Sequence, residues 1–268
     1  MLTFAAGDPL SHVLDHSLES DMTLFWLHHP ILDQIGLTKH VFMMLVATII
    51  CVFLFSRVSK GIARQIETGE SKGTLSSMLE SILVFLREEM VKPALGADTY
   101  RFLPLLWTYF FFIITCNLLG LIPFSATATG NISVTAGLAV IAFVTYHFFG
   151  MKRNGVVTYW KENLLVGPPF LWPLMIIIEV AGHVIKPAAL AVRLFANMMG
   201  GHILLAVVMM GTTVVTLDNL LIGGGISLVS AISAVLLMFL ELLVALIQAF
   251  IFTNLTSVFL GAALHPEH

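Results

Sequence analysis

The sequence predicts an all-α integral membrane protein, and three observations carry that expectation. Of the 268 residues, 58% are hydrophobic and 11% are charged, against roughly 25% charged in an ordinary soluble domain. The mean hydropathy of +0.95 leaves too little polar surface to cover a soluble body of this size. Apolar runs of membrane-spanning length recur, and the chain has room for about five to seven spans at ~20 residues each. A soluble enzyme, a disordered chain and a nucleic-acid binder are thereby excluded. The net charge of −3 offers no basic footprint for phosphates. In detail we expect about five membrane-crossing helices plus one amphipathic surface helix. The last two crossing helices should be long, steeply tilted and paired as an antiparallel hairpin. Residues 1–36 are expected to form an extracytoplasmic segment and residues 37–268 a single transmembrane domain.

The elements follow in chain order. Residues 1–36 are mildly acidic and contain four histidines. These histidines read as part of a solvated segment, because no metal-ligand spacing recurs. No signal peptide is evident there, since a basic start and an apolar core are missing. The first span is expected over 38–56, and Arg57, Lys60 and Arg64 follow it. Positive residues mark the cytoplasmic side, which leaves the N-terminus outside. Over 74–92, Leu75, Leu79, Ile82, Leu83, Leu86 and Met90 recur at helical spacing, with Glu80, Arg87, Glu88 and Lys92 filling the other face. That pattern predicts a helix on the inner membrane surface.

The second span is expected over 103–123 and the third over 134–150, joined by an uncharged loop. Lys152 and Arg153 again mark the cytoplasm, so these spans form a hairpin with its tip outside. The last two apolar runs, Leu171–Val215 and Leu220–Leu264, are each 45 residues long. As continuous helices they would measure ~67 Å, about twice the ~30 Å hydrocarbon thickness. They must therefore tilt steeply or lie partly in the membrane plane. The break between them is expected at Leu217-Asp218-Asn219, just before a triple glycine. The C-terminus is expected on the cytoplasmic side. Cys51 and Cys116 sit in apolar runs and read as small hydrophobes.

Four charges remain inside apolar helix: Glu179, Lys186, Arg193 and Glu241. Intramembrane ionisable groups are expensive and mark functional positions. Glu179, His183, Lys186, Arg193 and Asn197 share one helical face, apart from a drift of ~20° per seven residues. Glu241 and Gln248 share a face of the following run. Folding the two runs together about residues 220–221 places Arg193 level with Gln248 and His202 level with Glu241. The arginine stays protonated, and when buried it needs a partner. Glu179 is ~21 Å away along the helix and the Glu241 level ~13 Å away. An anionic partner from another polypeptide is the expectation. His202 and Glu241 suit an ion path from the outer face, and Glu179 with His183 suits one from the inner face. Simpler readings stay open for three members: Arg193 as half of a structural ion pair, His183 as a packing histidine and Lys186 as a snorkelling side chain.

The segment EVAGHVIKPAALAVRLFANMMGGH over Glu179–His202 resembles the signature of subunit a of the F-type ATP synthase membrane sector. The run NLLGLIP over 117–123 and the residues Glu241, Gln248 and Asn254 support the resemblance. It covers the chain from about residue 38 onward. It implies a stator subunit beside a rotating ring of c subunits, with two offset half-channels leading to and from a ring carboxylate. Arg193 takes the place of the family's essential arginine, which meets that carboxylate. His202, Glu241, Asn197 and Gln248 match the outer half-channel, and Glu179 an inner half-channel acid, with His183 close by. The order histidine then glutamate is that of mitochondrial-type members. Gly120 stands where some members carry an aspartate, so that loop receives no ion-handling role.

The resemblance further implies a subunit b stator as partner and no nucleotide bound by this chain. No glycine–lysine phosphate cradle is present, so the chain is not expected to be catalytic by itself. No cofactor or metal is expected. The inner membrane of a bacterium is the expected location, although the family also serves mitochondria and chloroplasts. An ion-coupled secondary transporter is the alternative. It would show inverted repeats, and none is visible. An intramembrane metalloprotease would want an HExxH-type helix, which is missing.

Overall fold

A computed structural model describes residues 39–68, 74–122, 127–164, 169–218 and 220–265. The expected N-terminal segment 1–36 lies outside the described residues. Helix α1 spans Lys39–Thr68, α2 spans Thr74–Leu86 and α3 spans Thr99–Gly120. Helix α4 spans Ile132–Asn154 and α5 spans Val156–Leu164. The two long helices are α6, Trp172–Asp218, and α7, Leu220–Leu264. The described residues are almost entirely helical, and five helical segments are long and apolar enough to cross a membrane. On α1, Ile49, Val52 and Phe53 are 67%, 60% and 64% exposed. Side chains of that kind held outward require an apolar solvent.

The first helix outruns its apolar stretch. It continues past Arg57 and Lys60 to Thr68. Apolarity limits how much of a helix sits in hydrocarbon, whereas Arg, Lys, Ala, Gln and Glu are good helix formers beyond it. Of the predicted amphipathic stripe, Leu79, Leu86 and Met90 are buried against the chain itself; Met78, Val84 and Phe85, which are not part of that stripe, stay exposed. Between α2 and α3 the chain passes through a π-helical turn at Arg87–Val91, a helical turn at Lys92–Leu95 and a 3₁₀ turn at Gly96–Asp98. Gly96 adopts φ 52° there, in the left-handed region that glycine reaches without steric penalty.

Helix α5 lies in what reads from sequence as a charged loop. Gly155, at φ 80°, ends α4 and turns the chain into it, a common use of glycine just past a helix C-terminus. The long runs fold as expected, in 47 and 45 residues. Helix α6 is continuous through Pro187, although proline donates no backbone hydrogen bond.

The chain forms two compact units. The described part of one comprises 39–47, 114–122, 127–134, 193–218 and 220–248. Within it α6 and α7 run antiparallel: Ser230 Oγ donates to Val208 O at 3.4 Å, and Gly201 packs on Glu241. The described part of the other comprises 48–68, 74–113, 135–164, 169–192 and 249–265. Its interior holds Leu86, Leu95, Leu106, Ile113, Tyr159, Phe252 and Leu260. Two glycines allow close approach there: Gly261 meets the carbonyl of Ala94, and a Cβ at Gly150 would lie 2.5 Å from the Tyr159 ring.

Candidate ion path

On α7, Glu241, Ala245, Gln248 and Ala249 recur at three- and four-residue spacing and are all buried. The hydrophobic environment of this helix thus encloses two polar side chains on one face. Glu241 is 8% and Gln248 4% exposed. Glu241 lies against Gly201, where a Cβ would stand 2.8 Å from its carboxyl carbon. Glycine at 201 is what admits the carboxyl group. Glu241 Oε1 is buried without a hydrogen-bond partner among the described residues. Buried polar groups are nearly always satisfied, so an orphan of this kind signals a water, an ion or a chemical role.

Asn117, fully buried on α3, stands between the 3₁₀ turn Ala128–Gly130 and α7. It accepts from Thr129 Oγ1 at 2.7 Å and donates to Ala245 O at 3.4 Å. Ala245 is one helical turn beyond Glu241, so Asn117 ties that turn to the hairpin tip. His40 Nδ1 bonds Thr127 O at 2.7 Å nearby. Apart from its place in NLLGLIP, nothing in the sequence marks Asn117 as this anchor, because its partners are a backbone carbonyl and a threonine.

Arg193 stands apart. Leu194 and Met198 are buried, whereas Val192, Arg193, Ala196 and Gly200 are exposed. Arg193 therefore emerges from an apolar, small-residue face, with no ion pair or hydrogen bond among the described residues. Asn197 is half-buried. The side chain of His202 lies outside the described residues; its neighbour Gly201 is the residue in contact with Glu241. The expected pairing of Arg193 with Gln248 is likewise not seen as a side-chain contact.

Glu179 and His183 belong to the other unit. His183 Nδ1 donates to Glu179 O at 2.6 Å, and His183 is 9% exposed. Its ring stacks on His147, with centroids 4.9 Å apart, and Trp160 packs beside both at 5.7 Å and 5.4 Å. Tyr159 OH and His147 Nδ1 share a hydrogen bond of 2.8 Å. His147, Tyr159 and Trp160 escape sequence reasoning because each sits on a different element from His183, within an ordinary span or a charged loop. Lys186 is exposed and its Nζ lies 5.7 Å from the centre of the Phe259 ring. Among the described residues, no cluster of three or more metal-binding side chains occurs.

A profile of the ATP synthase A chain family matches residues 40–261. The ATP synthase subunit a 2 of Chlorobaculum tepidum is 39% identical over 95% of this chain and 72% of its own length. The ATP synthase subunit a of Chloroherpeton thalassium is 36% identical over 97% of this chain and 78% of its own. That of Myxococcus xanthus is 35% identical over 88% and 75%. The chain belongs to the ATP synthase A chain family.

Proposed function

We propose that this chain is the ion-translocating stator subunit of a bacterial F-type ATP synthase, and that Arg193 is its essential charge. The observation that carries the reading is an arginine set in apolar helix, exposed and without a partner in its described surroundings. A guanidinium at membrane depth needs an anion. A carboxylate presented by a ring of c subunits supplies one only while the two proteins are in contact, which is what a rotary ion motor requires. His202, Glu241, Asn197 and Gln248 then carry protons on the outer side, and Glu179 and His183 carry them on the inner side. The fixed charge of Arg193 keeps a proton from passing directly between the two paths. Subunit b completes the stator, the N-terminus faces outward and the C-terminus faces the cytoplasm.

Arg193→Ala tests this reading in membranes that retain the complex. The expected result is normal co-purification of the subunits with loss of proton-driven ATP synthesis. Full synthesis in the variant overturns the assignment.

A further inference from the structure

We propose that His147 is a proton-exchanging group on the inner path, at the level of His183, with Tyr159 as its positioning residue. The inference rests on the reading that Glu179 and His183 line that path. It starts from a buried group that the proposed mechanism does not otherwise use. His147 is 4% exposed, yet its Nε2 has no hydrogen-bond partner among the described residues. An enclosed imidazole nitrogen left open in this way calls for a water molecule or a transferable proton.

The surroundings select the second use. The Tyr159 hydroxyl fixes Nδ1 at 2.8 Å, so Nε2 is the free end of the ring. The interplanar angle between His147 and His183 is 23°, and that between His147 and Trp160 is 19°. Stacked rings do not hydrogen-bond through their faces, so a proton moves between the two imidazoles along their edges, through water.

Among the described residues, the groups facing the pair are few. Helix α4 contributes Phe143 and Tyr146, with their rings 4.3 Å and 4.5 Å from His147. Helix α5 contributes Tyr159 and Trp160. Helix α6 contributes His183, the Glu179 carbonyl and Lys186, which acts on His147 electrostatically. Helix α7 contributes Phe259, uncharged, against Tyr146. Lys186 is the fixed charge beside the pair. Position along the chain supplies the sidedness. His147 precedes Lys152 and Arg153 by about one and a half helical turns, and the Gly155 corner brings α5 back to it. Hydronium gives its proton to Nε2, and the imidazolium returns it to water; only N–H and O–H bonds change.

The test uses the whole complex in proteoliposomes, with pH varied independently on the two sides while proton flux is followed. His147→Gln keeps a polar side chain of similar reach but does not titrate. Its flux is expected to fall several-fold and to lose the wild-type dependence on inner pH, with the dependence on outer pH unchanged. Tyr159→Phe leaves the imidazole unanchored and is expected to shift the inner-side profile with a smaller loss of flux. A wild-type inner-side profile in His147→Gln overturns the inference, as does a loss of flux equal at every inner pH. Where His147→Gln chains do not assemble, an unchanged inner-side profile in Tyr159→Phe overturns it. Arg193→Ala run alongside separates the two readings. Loss of coupling there with a wild-type His147→Gln profile removes only the present inference. Retained coupling there removes the functional reading beneath it.

Discussion

Arg153 and Arg193 make opposite use of the same side chain. Arg153, at the end of α4, forms an ion pair with Asp98, which also meets His265 at 3.2 Å. The neighbouring Asn154 donates to Ala263 O at 3.1 Å. These contacts tie a charged corner to the end of α7 within one compact unit. Arg193, in the other unit, has no such neighbours among the described residues and emerges among Val192, Ala196 and Gly200. An arginine at a polar edge is held by its own chain. An arginine in apolar helix that the described residues do not hold is available to something else. The same contrast applies to carboxylates, with Asp98 doubly engaged and Glu241 Oε1 orphaned.

The contrast breaks most severely at Arg193. Replacement by Lys conserves the charge but not the planar fork, so coupled ATP synthesis should fall at least about tenfold, in keeping with the poor interchangeability of these residues at forked sites. Synthesis rates in energised vesicles, normalised to assembled complex, measure it. A next step enlarges Gly201. Gly201→Ala puts a methyl group onto the Glu241 carboxyl and should lower proton conduction several-fold. Adding Glu241→Asp, which withdraws the carboxyl by one methylene, should recover part of the loss. Simple addition of the two defects, read from the four-way comparison, would contradict a direct contact.

Asn117→Leu leaves the Ala245 carbonyl and the Thr129 hydroxyl without their partner in a buried setting. The expected destabilisation is about 1–3 kcal/mol, read as a lower unfolding temperature in detergent. Asp98→Asn should have the smallest effect. The Arg153 side chain is 41% and His265 49% exposed, and half-exposed pairs contribute about 0–1 kcal/mol. A larger loss there would mean that the charged corner, and not apolar packing, holds the end of α7.

How much of this was legible in the sequence varies from one level to another. The two long helices were, because 45 predominantly apolar residues without a proline–glycine turn or a charged loop leave a chain in lipid no alternative to helix. The register of the hairpin was too: a fold about residues 220–221 brings the His202 level to Glu241, and Gly201 is in contact with Glu241. Helix α5 was not, since nine residues are too few to hold a helix alone; the Gly155 corner and the burial of Tyr159 that support it are tertiary effects. The ring cluster around His183 was invisible for the same reason. Stacking joins residues from α4, α5 and α6, and no spacing along one helix encodes it. The helix that holds the first span runs on to Thr68, because membrane thickness and helix length are separate constraints.

The central claim is that the anionic partner of Arg193 belongs to another chain. Disulfide cross-linking tests it in a background where Cys51 and Cys116 are replaced. Cysteine is introduced by Arg193→Cys, and a second replaces the carboxylate that the proposed ring of c subunits would present to it. The account predicts a cross-linked product joining the two polypeptides. Parallel pairs within this chain, Arg193→Cys with Glu179→Cys or with Glu241→Cys, should stay unlinked. A cross-link to position 179 or 241, with none to a c subunit, would contradict the account.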